Sequence, residues 1–426
     1  MTLTNPYHMR GMIPLESDMF FGRESEMRRI GAMLSGEVPQ CVSIIGERRI
    51  GKSSLAFRVF HRMRNAGNTL AVFLDCDQLS RHCQTEEQFF AMLQEQFSDA
   101  FTNQELIKKF CRGGEKREAE KLGRWEDGKP RSELHSISRT HPETDENQHQ
   151  RFAQHIGSPR RGAPGRRRQE RFFSDYLSFR DFLKKIGGNQ VRTIIFMDEF
   201  EHLPGKSFAD ETFFSNLRSA ANSPDHRLAF VTISRTGLKE LTQGSIRTSG
   251  FWNIFEPEII GLLDGISIDG LRRHKFVEKD FSLSREEIER MAYYGGDFPF
   301  FNQVVCSWVW DAKVSRSVPD WDDLEVRLSP YYKKLWEDRT VEEQKLLKKL
   351  KGKEEDFSLK EMKARGILIK KDNFYRPFSD YFSRLINNNT LEIKREKMSF
   401  KKIMQHIKNL LAVIKTGKEI VTDKGE

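Results

Sequence analysis

Residues 40–54 read Gln40-Cys41-Val42-Ser43-Ile44-Ile45-Gly46-Glu47-Arg48-Arg49-Ile50-Gly51-Lys52-Ser53-Ser54. An apolar run breaks into Gly46, four residues, then Gly51, Lys52 and Ser53, which is the spacing GxxxxGK[ST]. Glycines let such a turn aim its N–H groups inward, and the helix that follows adds its positive end, so phosphates meet a ready cradle. The candidate phosphate-binding segment is therefore Gly46, Glu47, Arg48, Arg49, Ile50, Gly51, Lys52, Ser53 and Ser54. Lys52 is placed to reach the β- and γ-phosphates, and the Ser53 hydroxyl to ligate Mg2+. At average glycine frequency the pattern arises by chance in about one or two chains of this length in a hundred. The context agrees with it: residues 42–45 read as a strand, and Leu55, Ala56, Val59 and Phe60 give the next segment a helical face.

A second stretch answers the first. Thr193-Ile194-Ile195-Phe196-Met197-Asp198-Glu199 runs apolar residues into two acids. A buried parallel strand reads this way, and in open α/β sheets ligands bind at its carboxyl end. Asp198 is the candidate second ligand of Mg2+, and Glu199 the candidate group that polarises the water attacking the γ-phosphate. The plainer alternative is a surface turn with two solvated acids. Further strand candidates are residues 70–74, ending at Asp75, residues 228–233, ending at Ser234 and Arg235, and roughly residues 254–260. Helical spacing of Phe89, Phe90, Leu93 and Phe97, and a helix at 179–185, set strands and helices in alternation, the pattern of a parallel α/β core. Arg235 is either a charged sensor of the γ-phosphate, with a catalytic role, or an ordinary surface arginine. Arg247 is a candidate arginine finger acting across a subunit interface.

The chain of 426 residues exceeds one ordinary core. Lysine and arginine exceed aspartate and glutamate by 71 − 62 = 9, a surplus that permits contact with nucleic acid or an acidic partner without requiring it. Cys41, Cys76, Cys83, Cys111 and Cys306 are scattered and odd in number, which fits reduced thiols rather than a disulfide frame. His82 and Cys83 adjoin, but no second close pair completes a metal site. Neither an apolar run of membrane-spanning length nor a secretion signal stands in the sequence, so the expectation is a cytoplasmic protein with no membrane partner.

The expected domain plan has five parts. Residues 1–36 form an N-terminal segment, and 37–262 a nucleotide-binding core interrupted at 104–172 by an arginine-rich insertion. That insertion holds Arg160, Arg161, Arg166, Arg167, Arg168 and Arg171. It has too little apolar content to offset its ordering entropy, and reads as a solvated disordered insertion or as an electrostatic arm for nucleic acid. Residues 263–322 read as a helical lid, in which Glu286 and Glu287 open a helix that Gly295-Gly296 closes. Pro299 follows, placed either to press against a purine or simply to start the next helix. Residues 323–388 follow the order helix, helix, two-stranded ribbon, the pattern of a winged helix. Lys360, Lys363, Arg365, Lys370, Lys371 and Arg376 make it basic enough for DNA, although such modules also serve as interaction domains. The tail 389–426, with Phe400, Ile403, Met404 and Ile407 at helical spacing between lysines, reads as a basic amphipathic docking helix.

This constellation resembles the STAND branch of P-loop ATPases, bacterial signalling and conflict-system enzymes related to AAA+ and origin-recognition-type proteins. The resemblance is carried by Phe21-Gly22-Arg23-Glu24-Ser25-Glu26, by Gly46 to Ser54, by Met197-Asp198-Glu199-Phe200-Glu201, and by Gly295-Gly296-Asp297-Phe298-Pro299. It covers residues 5–101 and 175–388. It implies a P-loop NTPase with a parallel five-stranded sheet of order 5-1-4-3-2, followed by an α-helical lid and a winged helix. It implies ATP or ADP with Mg2+ as ligands, with Gly22, Arg23 and Pro299 clasping the adenine. The implied activity is slow ATP hydrolysis serving a switch, in which ADP holds a closed state and ATP permits self-assembly or signalling to a protein partner. The insertion, and the lack of an effector domain or repeat array, depart from that pattern and move any output to a partner or to the tail. The alternative function is a DNA-associated ATPase of the loader or transposition-helper kind, working through the winged helix.

Overall fold

The computed structural model describes residues 3–7, 10–103, 172–241, 248–350, 357–371, 373–388 and 391. Arg247, nearly all of the 104–172 insertion and nearly all of the tail lie outside the described residues. The chain divides into two compact units, Arg10–Leu263 and, together with the N-terminal residues, Asp264 onward.

The first unit is built on five strands: β1 (Cys41–Gly46), β2 (Thr69–Asp75), β3 (Arg192–Asp198), β4 (Leu228–Ser234) and β5 (Phe255–Ile260). All pair in parallel in the order β2-β3-β4-β1-β5, which is 5-1-4-3-2 read from the other edge, as expected. Strands β1 and β4 lie inside the sheet and are buried along their whole length. That is why they read as near-continuous apolar runs, interrupted inside only by the buried Ser43 and Thr232, with no alternation. At one edge, β5 exposes Pro257, which has no N–H to give a further strand. The register sets Asp75 opposite Asp198, Ile45 opposite Ser234 and Gly46 opposite Ile260. All five carboxyl ends therefore finish along one margin of the sheet.

Helices cover the faces. After the glycine-rich turn, α2 (Lys52–Arg64) buries Leu55, Ala56, Val59, Phe60 and Met63, following α1 (Glu24–Ser35) in the chain. The Phe60 ring lies 5.5 Å from Phe73 and 5.6 Å from Phe196, so aromatic edges fasten α2 to β2 and β3. Helix α3 (Cys76–His82) springs directly from β2, its first N–H groups capped by the Asp75 carboxylate. Next come α4 (Glu86–Asn103), α5 (Tyr176–Gly188) and α6 (Glu211–Asn222). Gln94 Oε1 accepts from the backbone N–H of Phe172 and Phe173 at 2.8 and 3.1 Å, and the Phe101 and Phe172 rings are 4.6 Å apart. The chain thus leaves and re-enters the core at one point, where a long insertion costs little because closure entropy grows only slowly with length.

The second unit holds α7 (Gly265–Glu278), α8 (Arg285–Gly295), α9 (Pro299–Ser315), α10 (Trp321–Glu337), α11 (Val341–Lys348), α12 (Phe357–Ala364) and α13 (Asp380–Asn387). The ribbon of β6 (Leu368–Lys371) and β7 (Phe374–Pro377) is antiparallel and stands between α12 and α13. Ser284 and Glu287 form a capping box at the start of α8. Gly296, at φ +49°, is required where it stands, since a Cβ would sit 2.0 Å from the Phe378 carbonyl oxygen. Residues 3–7 join this unit: Asn5 Nδ2 donates to Ser307 Oγ and Asp311 Oδ1 at 2.9 and 2.8 Å, and Tyr7 packs on Phe276 and Trp310. One basic residue departs from its expected place on a DNA-facing surface. Arg365 is 8% exposed, bonded to Glu343 and 4.0 Å from Glu361, so its charge is spent inside the fold. Lys360, Lys363, Lys370, Lys371 and Arg376 remain exposed. Among the described residues no helix is long and apolar enough to cross a membrane.

Candidate functional site

The turn between β1 and α2 has the features a phosphate cradle needs. Gly46 closes β1 so near β5 that a Cβ would lie 2.5 Å from the Ile260 carbonyl oxygen. Arg49 and Gly51 take positive φ values of 65° and 103°, and the Ile50 N–H donates back to Glu47 O at 3.2 Å. Lys52 begins α2 and curls over the turn, its Nζ donating to Glu47 O at 3.0 Å. Arg48 and Arg49 face water, while Glu47 is buried. Ser54 also has a fixed partner, since its Oγ accepts from the Ile13 N–H at 3.1 Å and so pins the N-terminal segment to α2.

Across the cleft stand the acids of β3. Ser53 Oγ donates to Asp198 Oδ1 at 3.2 Å, and the same oxygen accepts from the Glu199 N–H at 2.9 Å. A hydroxyl and a carboxylate this close form the hard-oxygen pair that Mg2+ takes, usually alongside water and phosphate oxygens. Burial raises the Asp198 carboxyl from its ordinary 3.8 to about 6, against the lowering effect of the Ser53 and Glu199 hydrogen bonds and of Lys52. A carboxylate so short of positive charge fits a divalent cation as a neighbour. Burial also draws the Lys52 ammonium below its ordinary range, opposed by Glu201, Asp198, Glu47 and Glu199, with Glu201 foremost among these acids.

Glu199 has left-handed backbone geometry, φ 51°, unusual for a residue with a side chain and a form of strain that gathers at functional positions. Its side chain is 51% exposed, open to the water it would have to polarise, and Oε2 lies 3.2 Å from His202 Nε2. His202 Nδ1 lies 3.8 Å from Asp77 Oδ1. Arg235 follows the end of β4 and donates from Nε to Glu201 Oε1 at 2.9 Å.

The structure therefore brings Gly46 to Ser54, Asp198, Glu199 and Arg235 to one margin of one sheet. Gly22 and Arg23 belong to the same unit, both with positive φ. The Arg23 guanidinium is buried and donates to the carbonyls of Gly261 at 2.5 Å and Ile50 at 3.3 Å, bracing the phosphate turn from behind. Pro299 occupies the first turn of α9 in the second unit. Glu201 and His202 had no assigned role in the sequence, and Glu47, assigned to the phosphate segment, was not expected to supply the carbonyl that accepts from Lys52. Glu201 stands in the quoted acidic stretch, but its closeness to Lys52 and Arg235 exists only in the fold. The Glu47 carbonyl and His202 carry no local signal of their own.

A profile of the AAA ATPase domain matches residues 19–231. Among solved structures, a Walker-type ATPase of Pyrococcus abyssi is 16% identical, with a TM-score of 0.51 over 89% of this chain and 99% of that one. The ORC1 protein of Aeropyrum pernix, solved in complex with DNA, is 12% identical, with a TM-score of 0.40 over 88% and 94%. Domain III of the replication initiation protein DnaA of Thermotoga maritima is 12% identical, with a TM-score of 0.37 over 75% and 98%. At 16% identity the likeness to the Pyrococcus abyssi ATPase is one of fold alone. No curated protein matches the sequence. The matched profile spans half of the chain and takes in the phosphate turn, the acids of β3 and most of β4, and the chain belongs to the AAA ATPase domain family.

Proposed function

We propose that the protein is a cytoplasmic ATP-binding switch of the STAND type that hydrolyses ATP slowly and couples its nucleotide state to self-assembly or to a protein partner. One observation carries the reading: Ser53 of the phosphate turn and Asp198 of β3, 145 residues apart, share a hydrogen bond in a cleft that Lys52 also enters. Lys52 and the turn's N–H groups would hold the β- and γ-phosphates, and Ser53 and Asp198 would hold Mg2+. The ion, when bound, neutralises phosphate charge. Glu199 would orient the attacking water, Arg235 would sense the γ-phosphate, and Gly22 and Arg23 would clasp the base. The test is to size the protein with ADP and with a non-hydrolysable ATP analogue, each with Mg2+. A mass that differs between the two supports a switch. Equal masses reduce the protein to a passive binder, and a Lys52→Ala variant that binds nucleotide like wild type removes the site altogether.

A DNA-associated ATPase is the second reading. It is favoured by the exposed Lys360, Lys363, Lys370, Lys371 and Arg376 of α12 and the ribbon, around a Phe374 that is 60% exposed where β7 begins. In this reading 323–388 acts as a winged helix.

A further inference from the structure

Neither holding a metal nor orienting water requires Glu201, yet its setting is costly. It lies on the short turn Phe200–His202 directly after Asp198 and Glu199, with its side chain only 10% exposed. Oε1 accepts from Arg235 Nε at 2.9 Å, while Oε2 is buried with no hydrogen-bond partner among the described residues. A half-satisfied buried carboxylate is destabilising, and such groups call for a specific explanation. Glu201 is also foremost among the acids acting on Lys52. One carboxylate therefore serves two cations that reach the cleft from different elements, Lys52 from the β1–α2 turn and Arg235 from the end of β4.

A γ-phosphate would draw on the same two cations. We propose, on the basis of the nucleotide reading above, that Glu201 is a positioning residue that stands in for the γ-phosphate, holding Arg235 while the site is empty or contains ADP and yielding it to ATP. Guanidinium takes carboxylate and phosphate through the same planar set of donors, and the terminal phosphate brings more oxygens and more charge. Arg235 is 41% exposed, so water screens its pair with Glu201 and keeps the exchange within reach. When Arg235 leaves, the Glu201 charge remains beside the arriving phosphate, an opposition that ADP never meets. ATP and ADP then make different contacts with the two arrangements, which is the condition for a ligand to shift an equilibrium.

The test titrates a fluorescent ADP and a fluorescent non-hydrolysable ATP analogue, with Mg2+, into the full chain as wild type, Glu201→Gln, Arg235→Ala and the double variant. Glu201→Gln keeps the shape and one acceptor but removes the charge, and is expected to tighten the ATP analogue relative to ADP by about three- to tenfold. Arg235→Ala should lose affinity for the ATP analogue relative to ADP, and Glu201→Gln should gain clearly less in that background than in wild type, since the charge opposition is relieved there but no guanidinium is left to be freed. A carboxylate with a merely structural role would weaken both nucleotides together and leave their ratio unchanged. A ratio in Glu201→Gln within about twofold of wild type overturns the proposal, and so does an equal gain with and without Arg235. If Glu201→Gln fails to fold, Glu201→Asp, which withdraws the carboxylate by one methylene, should move the ratio the same way by less, and an unmoved ratio there also overturns it. Wild type that binds neither nucleotide overturns the nucleotide reading along with this one. Wild type that binds both with an unmoved ratio in the variants overturns this one alone.

Discussion

Asp198→Asn should stabilise the nucleotide-free protein while disabling its site. In the folded chain the Asp198 carboxyl titrates at about 6 because it is buried, against 3.8 for an ordinary aspartate. The folded state therefore holds its proton more tightly than the unfolded chain does. Between these values the folded state binds more protons, so stability falls as pH rises from about 4 to about 6 and stays low above that. At about 1.4 kcal/mol for each factor of ten, ionisation costs the native state up to about 3 kcal/mol at pH 7.5, and nearer 2 if water screens the open side of the cleft. Asparagine keeps an oxygen for the Ser53 hydroxyl and the Glu199 N–H and has no charge to bury. Thermal melts in EDTA at pH 7.5 should place Asp198→Asn above wild type by roughly 5 to 10 °C for a unit of this size. At pH 4 the gap should shrink to about 0.5 kcal/mol. Adding ADP with Mg2+ should raise the wild type and leave the variant largely unmoved, closing or reversing the gap. Equal melting at pH 7.5, or a gap indifferent to pH, would refute the claim that this carboxylate is held at an electrostatic cost until a cation and phosphates arrive.

Three further outcomes follow from the geometry. Glu199→Gln should retain ATP and stop phosphate release, since the Glu199 carboxylate lies against His202, at 3.2 Å, while Ser53 and Asp198 hold each other without it; unchanged turnover removes Glu199 from the water-orienting role. Gly46→Ala should destabilise the first unit by about 1 to 3 kcal/mol, because the new Cβ meets the Ile260 backbone oxygen at 2.5 Å and β5 must shift, and a melt indistinguishable from wild type would contradict that register. If the second unit contacts DNA, replacing Lys370 and Lys371 by glutamate should weaken duplex binding at low salt and flatten its salt dependence, with Arg365 irrelevant to it. Absence of duplex binding by wild type at low salt ends that reading.

What the sequence disclosed and what it withheld divide along a physical line. The phosphate turn is a run of consecutive residues, and the burial of β1, β3 and β4 leaves apolar runs that need no partner to be recognised. The acids closing β3 are adjacent to each other, and their place at the ligand end of a sheet follows from strand direction alone. Helices α3 and α6 were illegible for a different reason. One is seven residues long and starts where β2 ends, and the other is a single amphipathic helix between two short turns, its Phe213, Phe214 and Leu217 too few to mark a period. Residues 3–7 carry no pattern at all. Tyr7 finds Phe276 and Trp310 only because the chain folds back to them.

Glu201 and Arg365 are the instructive pair, since both are charged residues that a linear reading treats by type. Arg365 counts as one more positive charge in a basic module until Glu343 and Glu361 close around it. Glu201 counts as one more acid after an Asp-Glu pair until Arg235, 34 residues on, takes one of its oxygens and leaves the other buried. In both cases the chemistry lies in which opposite charge arrives and how much water stays behind, and neither is written in the neighbouring residues. The same reasoning explains why the phosphate-handling residues could be named from sequence while their energetics could not. Residue type and spacing dictate that Lys52, Ser53 and Asp198 can meet a triphosphate. The cost of holding those charges ready without one, which is what gives a nucleotide leverage over the fold, arises only from the enclosure that the sheet margin builds around them.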